Sequence, residues 1–174
     1  AKHDRFVWAE VVALHDQTVQ LMPYTDTEGI EVGARVIAGG DTLSIPVSEK
    51  LLGRVLDSMG RPLDEKGFAG ASDWYSVFAD PPEVLDRAPI RRRIVTGVRA
   101  IDGLAAVGQG QRLGIFSGSG VGKSTLLGMI ARNTSADVNV IALIGERSRE
   151  VREFIENDLG PEGLARSVVV VAQS

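Results

Sequence analysis

The sequence has 174 residues, of which 44% are apolar and 24% charged, and its 19 Lys and Arg against 23 Asp and Glu give a formal net charge of -4. That length allows one or two domains with a sizeable core; the charge offers no general attraction to nucleic acid or anionic lipid. The absence of cysteine excludes a disulfide framework, a thiolate zinc site and a cysteine nucleophile.

The opening AKHDRF carries neither a signal-peptide core nor an initiator methionine, so the chain reads as a processed or excised piece, and its two histidines, His3 and His15, both stand near this end. A histidine triad or histidine-rich metal site is therefore disfavoured. Residues 6–57 hold short runs rich in Val, Ile and Leu (FVWAEVVAL, TVQLMPY, ARVIAGG, TLSIPV, LLGRVLD) broken by Gly, Pro, Asp and Thr. This is the pattern of small antiparallel strands. About fifty residues make few strands for a closed barrel, so residues 1–57 are expected to form a partial antiparallel β-barrel domain. Residues 58–92, with SMGRPLDEKG and ADPP, sustain no periodicity and read as a connecting segment.

From residue 93 strands and helices alternate. RLGIFS is predicted as a buried strand, STLLGMIARN as a helix, VNVIALI as a strand, SREVREFIENDL as a helix and SVVVVAQ as a third strand. In the second helix Val151, Phe154, Ile155 and Leu159 recur at helical spacing, and Gly160-Pro161 follows as a stop signal. Continuous apolar strands separated by helices predict a parallel sheet, and hence an α/β fold. No apolar run approaches the roughly 18 residues of a membrane span.

Ser117-Gly118-Ser119-Gly120-Val121-Gly122-Lys123-Ser124-Thr125 lies between a predicted strand and a predicted helix. That is the setting of a phosphate-binding P-loop. Gly118, Gly120 and Gly122 let the backbone curl around Ser119 and Val121 so that successive N–H groups face one anion, and the helix adds its positive end. Lys123 reaches the β- and γ-phosphates, Ser124 can ligate Mg2+, and Thr125 lies near the inner phosphates. The strict pattern wants glycine where this chain has Ser117, a small residue directly followed by Gly118. Residues 93–174 thus read as the N-terminal part of a P-loop NTPase core.

Gly145-Glu146-Arg147 follows VNVIALI, at the strand end where open α/β sheets bind ligands. Glu146 could orient or activate water for attack on the γ-phosphoryl group and Arg147 could hold charge or contact a neighbour; Glu146 as a solvated loop acid stands beside that reading.

The run GVRAIDGLAAVGQGQRLGIFSGSGVGKSTLL, with IALIGERSREVREF after it and LLGRVLDSMGRPLD before it, resembles the flagellar and type III secretion export ATPases, relatives of the catalytic subunit of rotary ATP synthases. REVREFI tilts the resemblance towards the export branch. The resemblance implies that Glu146 positions the attacking water, that Lys123 and Ser124 hold MgATP, and that the complete enzyme is a cytoplasmic homo-hexamer peripheral to an inner-membrane export gate. Its implied partners are export-apparatus proteins and chaperone–cargo complexes, with no nucleic acid expected. It also implies that this chain enters the barrel partway and stops before a magnesium-coordinating aspartate, an arginine finger and a helical domain, so that alone it binds nucleotide with little hydrolysis. Ser148 stands where the family most often has glycine, at a predicted helix start that serine caps well.

Arg87, Arg91, Arg92, Arg93 and Arg99 form a basic stretch without interleaved aromatics, read as intra- or inter-subunit pairing partners rather than a nucleic-acid contact. Trp8, Trp74 and Tyr75 read as core or interface residues. Three functions remain in view: an export ATPase, a rotary ATP-synthase-type catalytic subunit, and a nucleotide-binding scaffold without turnover.

Overall fold

The computed structural model describes residues 6–40, 42–118 and 120–172, and the chain divides into two compact units, Ala1–Asp41 and Thr42–Ser174. In the first, β1 (Ala9–His15) and β2 (Thr18–Pro23) form an antiparallel hairpin whose register runs from Ala9 opposite Pro23 to His15 opposite Thr18, with a bulge between Val11 and Ala13. The tight turn places Asp16 at φ 37°, a backbone region that Asp tolerates better than most residues.

In the second unit, β3 (Ser44–Val47) leads to β4 (Arg54–Asp57), and β5 (Asp73–Ser76) returns to pair antiparallel with β3. The short strand β6 (Arg93–Ile94) pairs with β7 (Val107–Gly108) across the helix α1 (Arg99–Leu104). Then come α2 (Lys123–Asn133), β8 (Asn139–Ile144), α3 (Ser148–Glu153), a π-helical turn (Phe154–Leu159), α4 (Gly160–Ala165) and β9 (Ser167–Ala172).

A parallel sheet in the order β4-β9-β8 organises this unit. Alternate residues of β9 (Ser167, Val169, Val171) are buried against the helices, and Val55 of β4 completes the core with the helical residues Ala131, Val151, Phe154 and Leu159. One core therefore joins the sheet to α2 and to the helical run after β8. The helix α2 is positioned from its far end as well: Thr134 donates through Oγ1 to the Val95 carbonyl at 3.1 Å, and Asn139 donates from its amide to the Ala131 carbonyl at 2.8 Å and to the Ser167 hydroxyl at 3.2 Å.

Two carboxylates fix the loops. Asp64 meets Arg54 at 2.6 Å with both side chains about nine-tenths buried, and it accepts further bonds from the Val55 and Lys66 amides. The Arg54 hydrogen bond, aided by those amides, holds the Asp64 carboxyl well below the usual range against the opposing effect of burial. Asp102 of α1 accepts from the amide and hydroxyl of Thr96 and from the Gly97 amide, which likewise lowers its pKa.

The structure departs from the sequence reading in several places: Asp73–Ser76, within the connecting segment, forms β5, and Trp8, Trp74 and Tyr75, read above as core or interface residues, are exposed. LLGRVLD, grouped above with the N-terminal barrel, supplies β4 of the parallel sheet; Arg54, Val55 and Leu56 are consecutively buried, as a strand covered on both faces requires. RLGIFS is not a strand: it has no ladder partner among the described residues, and Leu113 and Phe116 are exposed. Gly160-Pro161 interrupts the helical run without ending it, because Pro161 lies in the first turn of α4, where its missing N–H costs no helical bond. Ser148 is the first residue of α3 and Arg147 occupies the cap position.

Candidate functional site

The P-loop sits immediately before α2. Gly122, at φ 93°, turns the chain into the helix from a left-handed conformation, and Gly120, at φ 76°, makes the preceding bend, so both positions favour glycine. The first helical hydrogen bond runs from the Leu126 amide to the Gly122 carbonyl at 2.9 Å. The amides of Lys123, Ser124 and Thr125, ahead of that bond, are among those an α-helix leaves free at its start. Lys123, Ser124 and Thr125 are exposed, as are Gly118, Gly120, Val121 and Gly122; Ser119 lies outside the described residues.

The second element approaches from β8. After Ile144 the chain turns at Gly145, whose amide donates to the Ala172 carbonyl at 2.9 Å and so continues the β8–β9 ladder to its C-terminal edge. Glu146 follows directly. A narrow cleft there is lined by Lys123, Ser124, Leu127, Leu143, Glu146, Glu150, Val151 and Phe154. The structure thus brings the adjacent ammonium and hydroxyl at a helix start, Lys123 and Ser124, together with a carboxylate, Glu146, that lies more distant in the sequence. Neither Asp64 nor Asp102 lines the cleft.

Arg147 does not line it. Its side chain is 87% exposed and meets Glu150 at 3.7 Å, a pairing that solvent keeps weak. Glu150, in contrast, is a cleft residue that sequence reasoning did not single out. Val151 and Phe154, singled out above for their helical spacing, form both part of the core and part of the cleft wall. The signal for Glu150 was its position beside that apolar stripe, three residues after the strand-end motif. A larger hollow, about 400 Å³, opens among Val47, Ser48, Glu49, Lys50, Ser72, Asp73 and Tyr75. It contains neither P-loop nor strand-end residues.

Comparison with known proteins identifies the family of the chain. The nucleotide-binding domain of the ATP synthase alpha/beta family matches residues 97–174, and the beta-barrel domain of the same family matches residues 2–40. The chain is 61% identical over 95% of its length to the flagellum-specific ATP synthase of Treponema pallidum (strain Nichols), and 52% identical over 95% to the type 3 secretion system ATPase of Xanthomonas euvesicatoria. It spans 37% and 38% of those two proteins, respectively. Among solved structures, the assembled ATPase EscN in complex with its central stalk EscO, from the type III secretion system of enteropathogenic E. coli, superposes with a TM-score of 0.85 at 46% identity, covering 95% of this chain and 41% of that one.

Proposed function

Since the chain belongs to the ATP synthase alpha/beta family, in its flagellar and type III secretion export branch, we propose that the protein containing it hydrolyses MgATP to energise protein export through a flagellar or type III secretion apparatus. The observation that carries the chemistry is the shared cleft of Lys123, Ser124 and Glu146. The P-loop amides from Gly118 to Thr125 and the Lys123 ammonium bind the phosphates, and the start of α2 adds its positive end to the same anion. The residues present suit Mg2+: the Ser124 hydroxyl supplies a hard oxygen beside the phosphates, and the ion would offset their charge.

Glu146 holds and orients the attacking water from the opposite side of the cleft. Arg147, outside the cleft, acts from its rim towards phosphate charge or a neighbouring subunit. The working form is a cytoplasmic homo-hexamer peripheral to the inner-membrane export gate, served by export-apparatus proteins and chaperone–cargo complexes. No described helix is long and apolar enough to cross a membrane.

In the full-length protein, Glu146→Gln keeps the size of the side chain and removes its charge and basicity. MgATP affinity should stay within a few-fold of wild type while turnover collapses. Steady-state phosphate release measured beside nucleotide affinity checks this, and near-normal turnover would remove Glu146 from the mechanism.

A further inference from the structure

We infer that Gly128 is a positioning residue, which sets the P-loop helix against the π-helical wall of the cleft and so fixes the distance between the phosphate-binding groups and Glu146. Gly128 lies on α2, five residues after Lys123, and is buried. A methyl group at this position would overlap the carbonyl oxygen of Asp158 and stand 2.7 Å from its carbonyl carbon. At this point α2 and the π-helical turn therefore meet backbone to backbone.

The turn is built for that contact. The Gly160 amide donates to the Ile155 carbonyl five residues back, the wide hydrogen bond of a π-helix, a conformation that recurs at functional sites. Its first residue, Phe154, is in the cleft wall with Leu127, Lys123, Ser124 and Glu146. Its last, Leu159, is fully buried. The turn thus touches the cleft at one end and seats α2 at the other, whereas Glu146 stands just past the end of β8. The distance between nucleophile-orienting carboxylate and phosphate-holding loop depends on how closely α2 approaches this segment.

A Cβ at 128 forces α2 outward by about 1 Å to restore ordinary van der Waals separation, and a displacement of that size can cost on the order of 10²-fold in rate. The phosphate-binding amides and Lys123 travel with the helix as one unit. In the full-length protein Gly128→Ala should therefore lower kcat about 10²-fold, with KM for MgATP changed only a few-fold. Gly163→Ala is the control. There the methyl would meet Leu159 Cδ1 at 2.8 Å and Arg132 Cγ at 3.0 Å, side-chain atoms rather than a backbone carbonyl, so the packing is crowded, at whatever cost in stability, without a backbone-to-backbone clash, and kcat should stay within a few-fold.

This inference rests on the nucleotide-hydrolysis reading, and the two fail differently: normal turnover in Glu146→Gln defeats that reading, whereas inactive Glu146→Gln beside fully active Gly128→Ala defeats the positioning role alone. Equal losses in Gly128→Ala and Gly163→Ala would also overturn it. Should Gly128→Ala not fold, hydrogen exchange of the wild-type protein with and without MgADP decides. The inference requires that the nucleotide slow exchange in α2 and in residues 155–159 together; protection confined to α2 would contradict it.

Discussion

The hairpin of the first unit and the parallel sheet of the second are both strand structures rich in Val and Leu, yet their side chains have opposite fates. Every residue of β2 is exposed and Leu14 of β1 is 74% exposed, whereas β9 alternates buried and half-buried residues and Val169 is fully enclosed. The hairpin holds its register through a tight turn and a backbone ladder, and among the described residues no second layer buries its apolar faces. The sheet gains its rigidity from helices packed on one face, and that is the part of the molecule that carries the cleft. A site that needs a carboxylate and a phosphate loop held at fixed separation belongs on the layered unit.

Truncating a core leucine breaks this contrast most severely. Leu159→Ala should cost about 2–5 kcal/mol of unfolding free energy, because Leu159 is fully enclosed between α2 and the sheet. Leu14→Ala should stay within about 0.5 kcal/mol. Urea denaturation of the two variants measures the difference, and equal costs would mean that the hairpin shares the core's stability.

A smaller effect is expected at the polar anchor of β4. Asp64→Ala leaves Arg54 enclosed without its partner, and removing one member of a desolvated pair should lower Tm by roughly 5–10 °C. Smaller still is the pH dependence of that anchor. The Asp64 pKa is depressed in the folded state, so the stability it contributes is fully present above the ordinary carboxylate range near pH 4 and is lost as pH falls towards the folded value. Acid melting curves should accordingly be steeper for wild type than for Asp64→Asn.

The P-loop and the strand-end Glu146 were legible in the sequence because their chemistry is local: glycines, a lysine and a hydroxyl in fixed register, and a carboxylate directly after an apolar strand. The helix α2 and the strands β8 and β9 fall where periodicity puts them. What escaped depends on partners distant in the chain. A four-residue run such as RVLD looks the same in a barrel or a parallel sheet, and only its pairing with residues 168–171 decides. RLGIFS is as apolar as a strand, but a strand also needs a ladder partner. The π-helical turn leaves no mark on a periodic pattern, since Phe154 and Leu159 satisfy an α-helical reading just as well. Glu150 lines the cleft because α3 and the start of α2 meet there, a placement that no local pattern encodes.

The central claim is that residues 118–125 bind the phosphates of a nucleotide, and thermal melting with MgADP tests it most directly. At a ligand concentration about 100 times the dissociation constant, the wild-type chain should gain roughly 2.7 kcal/mol of stability. Lys123→Ala, whose exposed side chain contributes nothing to the core, should fold as wild type does and lose most of that gain. Equal nucleotide-induced shifts in the two proteins would contradict the account.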